Sequence, residues 1–451
     1  MSEALTLPER ELPEAASRAG IAAIATIAAK VAGAAGALAI NIAVARILGA
    51  DGYGIYAFGV GLGTTLAVVA SLGMPFAAIR HVPDYLAQRD WSGIVGFTRA
   101  SLLVSLAGAA ACAALLLLMP RLAGATPAVA SGLAWSAALL LPVTLGQTIA
   151  TLLQARGHVV RPEIVQSAVR QGATLVLLGA LLLAFPGQVT PGTALAATAL
   201  ANVGSALALA YMLRRIEARE PREVGRYELR RWARTGGSVL LILMSAALNE
   251  RVDVLMLGWL VEPAALGQYA AAARLASVAT IALAGLNAAY MPRVSRAWAE
   301  GDRPGTQRLL QEVALLGVGL TGAMVLGAVA LGEPALGLFG PEFRDAQSVL
   351  LLLLLTQCGI AVAGIASGLA VVAGLDHLAL CGVLAGLAVN VLLNLLLTPA
   401  FGIVGAAIAT LVALVGTQLA VALRCGQLLG LGTTIFALLR PERTVGRAAG
   451  E

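Results

Sequence analysis

Four basic side chains lie inside stretches that are otherwise almost wholly apolar: Lys30, Arg170, Arg251 and Arg274. Counted at about 1.5 Å per residue from the nearest run ends, Lys30 and Arg170 fall roughly 12 to 15 Å deep, close to the middle of a hydrocarbon core about 30 Å thick. Arg251 and Arg274 come out at similar depth. A charge held there costs at least ~2.5 to 3.5 kcal/mol, so such residues face a cavity or a partner. Guanidinium presents a fork of donors that matches phosphoryl oxygens. Convergent cations at one depth therefore suit an anionic cargo such as phosphate or pyrophosphate, and suit a cationic drug badly. Local ion pairing and helix packing are the competing use of the same four charges.

The densest polar cluster is Asn249-Glu250-Arg251 with Asp253 two residues further on. On a helix Glu250 and Asp253 share a face, Asn249 and Asp253 share another, and Arg251 lies about 100° round from Glu250. Asp253 is expected to pair with Arg251, or with Arg170 or Lys30 across a cavity. Glu250 stands open between pairing and titrating as a proton or cation site that drives transport. The candidate substrate contacts are thus Lys30, Arg170, Arg251, Arg274 and Asn249, and the candidate ion-coupling residues are Glu250 and Asp253. Gln147, Gln171, Asn202, Asn287, Asn390 and Asn394 also project from apolar runs and could meet sugar hydroxyls. Taken singly, such amides more often bond helix to helix.

Other chemistry finds little support. His81, His158 and His377 sit near the ends of apolar runs without metal-ligand spacing, and read as interfacial. Cys112, Cys358, Cys381 and Cys425 show no paired spacing, so neither a disulfide framework nor a zinc site is expected. No Walker A pattern is present, and no cofactor is implied. Gly59-Val60-Gly61-Leu62-Gly63 has the spacing of close helix packing rather than of a phosphate loop.

The elements that carry these residues follow from composition. Of 451 residues 59% are hydrophobic and 12% charged, with mean hydropathy +0.87, which is a polytopic membrane protein with no soluble domain left over. Apolar runs long enough to span fall near 20–46, 53–79, 95–119, 129–153, 162–185 and 191–213. They resume near 236–259, 264–291, 308–331, 345–372, 377–397 and 401–424. The expected fold is all-α, with about twelve transmembrane helices in two pseudo-symmetric six-helix bundles. The bundles cover 20–213 and 236–424, joined by an arginine-rich linker at 214–235 and flanked by segments 1–19 and 425–451. Residues 1–19 hold Glu3, Glu9, Glu11 and Glu14 where the basic start of a signal peptide would be.

The linker carries eight arginines and four glutamates, too polar for hydrocarbon, and could also attract anionic lipid. With both ends of the chain inside, the inner connections hold 23 of the 30 basic residues and the outer ones 3. That imbalance predicts a multi-pass protein of the inner (plasma) membrane with both termini cytoplasmic. It also explains the net charge of +6 without nucleic acid as a partner. Trp91, Trp135, Trp232, Trp259 and Trp298 fall near the predicted span ends, as interfacial anchors do.

The halves echo each other at an offset of 213 residues. Gly54-x-Tyr56 matches Gly267-x-Tyr269, Arg80 matches Arg293, and Gly192-Thr193-Ala194-Leu195-Ala196 matches Gly405-Ala406-Ala407-Ile408-Ala409. Six spans per copy make the repeats parallel, with any transport site between them near mid-depth.

Several stretches together resemble the polysaccharide or lipid-linked oligosaccharide flippases of the multidrug/oligosaccharidyl-lipid/polysaccharide exporter superfamily. They are RILGADGYGIY at 46–56, SLGMP at 71–75, RVDVLMLG at 251–258, GQYAAAARL at 267–275, MPR at 291–293 and FGIVGAAIAT at 401–410. Each is a pattern of small and apolar residues, and their order over nearly the whole membrane region carries the likeness. The resemblance implies two six-helix bundles that alternate access. It implies a transporter, not an enzyme, moving an undecaprenyl-pyrophosphate-linked oligosaccharide across the inner membrane for exopolysaccharide or lipopolysaccharide (O-antigen) synthesis, coupled to an ion gradient. Its partners would be the lipid-linked substrate, membrane lipids, and a glycan polymerase and export machinery. A multidrug or metabolite cation antiporter of the same fold is the alternative, weakened by an aromatic content of 4%. A membrane glycan polymerase or ligase would want a long, basic outer loop, which the sequence lacks.

Overall fold

The computed structural model describes residues 11–123, 127–185, 187–249 and 251–433. Nine helices in it are long and apolar enough to cross a membrane. Two of these are double. The helix α1 (Glu11–Ala70) turns at Gly49 (φ 70°, ψ −177°), and α14 (Asp376–Leu429) turns at Gly402 (φ 57°, ψ −139°). Both positions take backbone angles that a Cβ disfavours, so glycine lets one span run straight into the next with no loop. A further span is broken rather than continuous: α8 (Leu229–Asn249) and α9 (Val252–Leu260) are separated at Arg251 (φ −133°, ψ −5°). The twelve spans expected from hydropathy are thereby present, in an all-α fold of two pseudo-symmetric bundles.

Between these lie α2 (Met74–Ala87), α3 (Trp91–Ala123), α4 (Pro127–Ala155), α5 (Val160–Ile164), a π turn (Val165–Val169), α6 (Arg170–Ala184) and α7 (Pro191–Glu217). The second half adds α10 (Pro263–Ala299), α11 (Arg303–Gly337), a 3-10 turn (Pro341–Ala346), α12 (Gln347–Ala363) and α13 (Ala366–Val372). Proline opens α7, α10 and α11 in the first turn, where its missing N–H costs nothing. Large apolar side chains such as Val176, Leu183 and Leu326 stand exposed along the spans, as a lipid-facing surface requires.

Contacts divide the chain into two compact units, one of residues 1–48 and 55–244, the other of residues 49–54 and 245–451. The division falls inside α8 and not at the arginine-rich segment 214–235. In the first unit α4 packs against α3, α7 and α2, and α6 against α7. One buried cluster in it holds Tyr85, Ile94, Phe97, Leu152, Leu153, Leu213 and Trp232. Trp232 is thus a core residue, 0% exposed, and not the interfacial anchor that its sequence position suggests. Its ring meets Phe97 edge-on at 5.1 Å, and its indole N–H donates to the Tyr85 hydroxyl at 3.0 Å. In the second unit α12 packs against α11, α10 and α14, with a core of Val294, Leu310, Val313, Leu369 and Cys425.

Candidate functional site

Each unit holds a polar cluster around a charged side chain that a tyrosine of the repeated Gly-x-Tyr motif enters. In the second unit the charge is Asp253, which sits in the first turn of α9, just past the break at Arg251. It is 7% exposed. One carboxylate oxygen accepts from the Thr410 hydroxyl at 2.7 Å and the Tyr269 hydroxyl at 2.9 Å, and the other from the Asn394 amide at 3.1 Å. The Asn394 amide also donates to Asn390 Oδ1 at 2.6 Å, and Thr398 donates to Asn394 Oδ1 at 3.2 Å.

The geometry explains this convergence. Asn390, Asn394 and Thr398 recur every four residues and line one face of α14. Thr410 follows the turn at Gly402 and comes back alongside them, with Asn390 Nδ2 3.5 Å from Thr410 Oγ1. Tyr269 arrives from α10. The result is a single carboxylate inside an apolar bundle, ringed by neutral oxygens and amides. Hard oxygen donors of that kind hold a proton or a small monovalent cation. One acid with neutral partners is a poor match to the charge of a divalent ion. Among the described residues no group of three or more His, Cys, Asp or Glu forms a metal cluster.

This corrects the expectation that Asp253 pairs with an arginine. Its hydrogen bonds come from neutral donors, and no ion pair among the described residues includes it. The helix break supplies the reason. Arg251 caps α9 in a non-helical conformation, so the helical spacing on which the pairing rested does not run through Arg251. Glu250 lies outside the described residues. Asn249 ends α8, and its Oδ1 is buried without a hydrogen-bond partner among the described residues. Arg251 and Arg274 are half-buried in the same unit.

In the first unit the charge is Arg170. The π turn brings its backbone N–H to Val165 O, and its Nε donates to Gln166 O at 2.8 Å. One guanidinium nitrogen reaches Asn202 Oδ1 at 3.5 Å. Asn202 in turn donates to Thr198 O at 2.8 Å, and the Thr198 hydroxyl lies 3.1 Å from that of Tyr56. No carboxylate pairs with Arg170 among the described residues. A half-buried guanidinium among neutral acceptors keeps donors available for an anion. Lys30 belongs to the same unit and stands exposed on α1. The four intramembrane cations are thus divided two and two between the units.

Sequence reasoning missed Thr398 and Thr410 and gave Tyr269 no chemical role, although the ladder Asn390-x3-Asn394-x3-Thr398 was legible as polar side chains at helical spacing. Asn390 and Asn394, which the sequence left open between sugar contact and helix-to-helix bonding, are engaged with Asp253 and each other. Of the histidines, His158 and His377 are exposed as expected, whereas His81 is buried beside Tyr85 with Nε2 3.1 Å from the Thr235 hydroxyl.

A polytopic helical protein with two six-span repeats and a charge set among neutral polar groups in each has the architecture of a membrane transporter. The chain belongs to the polysaccharide biosynthesis protein family, whose model matches residues 21–298. A second family model, MatE, matches residues 239–396. Among solved structures, the chain is similar to a multidrug resistance MATE family transporter of the MOP superfamily in its inward-facing conformation. The TM-score is 0.72 at 16% identity, covering 90% of this chain and 98% of that one. It is also similar to the lipid II flippase MurJ in an inward closed conformation, with TM-score 0.70 at 11% identity, covering 90% and 87%. A MOP superfamily transporter from Pyrococcus furiosus matches with TM-score 0.55 at 16% identity, covering 92% and 96%. No curated protein matches the chain. The fold is that of the MOP-superfamily transporters and flippases.

Proposed function

We propose that the chain is a flippase that carries an undecaprenyl-pyrophosphate-linked oligosaccharide across the inner membrane by alternating access, for exopolysaccharide or O-antigen synthesis. The observation that carries the reading is the match of the polysaccharide biosynthesis model to residues 21–298, together with a half-buried guanidinium, Arg170, inside that region, which no carboxylate pairs with among the described residues. A pyrophosphate is the part of such a cargo that a forked cation recognises. Lys30, Arg170, Arg251, Arg274 and Asn249 are the candidate cargo contacts. Asp253, in its ring of neutral oxygens, is the coupling residue that takes up a proton or a monovalent cation; Glu250 is its candidate companion. Both termini are placed in the cytoplasm on the strength of the arginine distribution. A glycan polymerase and export machinery would receive the product.

The second reading, an ion-coupled multidrug or metabolite antiporter, is favoured by the MatE match to residues 239–396. The two separate in a strain lacking the gene, with lipid-linked precursor assayed on each side of the inner membrane. Loss of surface glycan with precursor trapped on the cytoplasmic side is expected. Unchanged surface glycan with altered export of small cations would instead establish the antiporter. Precursor that crosses but stays unpolymerised would point to an enzyme.

A further inference from the structure

The connection between α7 and α8 is not a slack loop. Residues 221–228 run without helix along the first unit, and the Arg226 N–H donates to Ser92 O at 2.9 Å. Gly225 and Gly96 meet backbone to backbone: a Cβ on Gly96 would lie 1.9 Å from Arg226 O. Below this contact Glu220 is paired with the buried Arg156 at 3.2 Å, and above it Trp232 is sunk in the core. The segment is therefore a strap fastened at both ends and in the middle.

What the strap displays is peculiar for a surface held so firmly. Val224 is 90% exposed, Tyr227 52% and Leu229 53%, three large apolar side chains within six residues. Arg219, Arg222, Arg230 and Arg234 flank them and are all exposed. Of the acidic side chains nearby, Asp90 and Glu228 are already engaged, while Glu223 is exposed with no ion pair among the described residues, one carboxylate against those four arginines. Asp90 accepts from Arg226 at 2.7 Å, and Glu228 from Arg226 at 3.0 Å and Arg231 at 2.9 Å. Among the described residues no ion pair takes Arg219, Arg222, Arg230 or Arg234. Arg219, at the start of this stretch, lies two residues past the span that ends at Glu217. A short apolar and aromatic patch, ringed by an excess of arginine at the very end of a span, has the composition of a surface that rests on charged headgroups.

We propose that residues 219–234 form a docking surface for anionic glycerophospholipid of the leaflet that borders them. Arg219, Arg222, Arg230 and Arg234 bind the headgroup phosphates, and Val224, Tyr227 and Leu229 enter the interfacial layer. The role lies beyond cargo transport: the lipid clamps the strap, and through Trp232 the start of α8, to the first unit.

The test uses the full chain in dodecyl maltoside, titrated with dioleoylphosphatidylglycerol or dioleoylphosphatidylcholine, with the thermal midpoint as readout. Phosphatidylglycerol is expected to raise the midpoint at low mole fraction and phosphatidylcholine not to. A variant with Arg219, Arg222, Arg230 and Arg234 all changed to Gln should need at least ~10-fold more phosphatidylglycerol, since each surface arginine contributes roughly fivefold in affinity. A Val224→Ser, Tyr227→Ser variant should weaken the response with charge unchanged. Arg303→Gln, in α11 of the second unit, should leave it intact. Equal stabilisation by the two lipids would overturn the proposal. So would a full phosphatidylglycerol response in the four-arginine variant, or capture of a soluble acidic protein by a strap that shows no lipid response.

Discussion

Replacing Asp253 tests the coupling role directly, because the structure separates its folding cost from its functional cost. Three donors converge on the carboxylate, and a buried donor left unpaired costs about 1–3 kcal/mol. Two of the three have somewhere else to turn. Thr410 Oγ1 already lies 3.0 Å from Ala406 O, and the Asn394 amide already reaches Asn390. The Tyr269 hydroxyl has Thr410 as its other polar neighbour, so Asp253→Ala should destabilise by about 1–3 kcal/mol at most from the donors, plus a small cavity contribution. Asp253→Asn keeps an acceptor oxygen in place and should cost ~1 kcal/mol or less. Both variants should fold. If Asp253 carries the coupled charge, an electrical gradient of about 100 mV supplies about 2.3 kcal/mol per charge moved, which is roughly a 50-fold bias in cargo distribution. Asp253→Asn should abolish that bias. The assay is proteoliposomes with lipid-linked oligosaccharide, an imposed sodium or proton gradient, and an outer-leaflet probe of the cargo. An Asn variant that reaches the wild-type steady state under the same gradient would refute the assignment, as would a wild type indifferent to both gradients.

Arg170→Lys keeps the charge but loses the fork, and Arg170→Ala loses both. Export measured by surface glycan should fall about tenfold or more in each, with thermal midpoints near wild type because no carboxylate is left behind. Trp232→Ala should destabilise the first unit by about 3–5 kcal/mol, read by denaturant melting, since it empties a fully buried indole site and strips Tyr85 of a donor. His81 supplies a pH test. Burial, then Arg231 and Arg80, lower its pKa below the ordinary 6.5, against weaker opposing pulls from Asp84 and Glu228. The unfolded chain thus takes up the proton first, and stability is lost as pH falls from about 6.5 through the lowered folded value. The thermal midpoint of wild type should drop over that window, and His81→Gln should flatten the drop.

Hydropathy made the spans legible because a membrane helix must satisfy its backbone internally and leaves a long apolar signature. The site was half legible. Asp253 and Arg170 announced themselves as charges in apolar runs. Their partners were misassigned, because helical spacing was projected through Arg251, whose backbone is not helical. Thr410 gave no signal of its own: it reaches Asp253 only because α14 turns at Gly402, and a lone glycine among 51 does not declare a turn. Trp232 was misread for a related reason. Tryptophan near a span end is usually interfacial, and only the docking of the strap onto α2 and α3 buries it.

The repeat makes the difference between the units informative. Tyr56 and Tyr269 occupy equivalent positions, 213 residues apart, and each points its hydroxyl into its unit's polar cluster. Around Tyr56 the neighbours are Thr198, Asn202 and a cation; around Tyr269 they are Thr410, two asparagines and an anion. The scaffold of tyrosine, threonine and amide is common to both, so packing alone would be served by neutral clusters in each. An isolated charge in a spanning segment costs several kcal/mol, and here that cost is incurred twice with opposite sign. On the proposed reading the sign follows the ligand: a guanidinium for an anionic cargo in one repeat, a carboxylate for a driving cation in the other. Exchanging the signs, with Arg170→Gln and Asp253→Asn as the intermediate neutral state, should therefore abolish two separable properties, cargo affinity and gradient dependence, one per repeat.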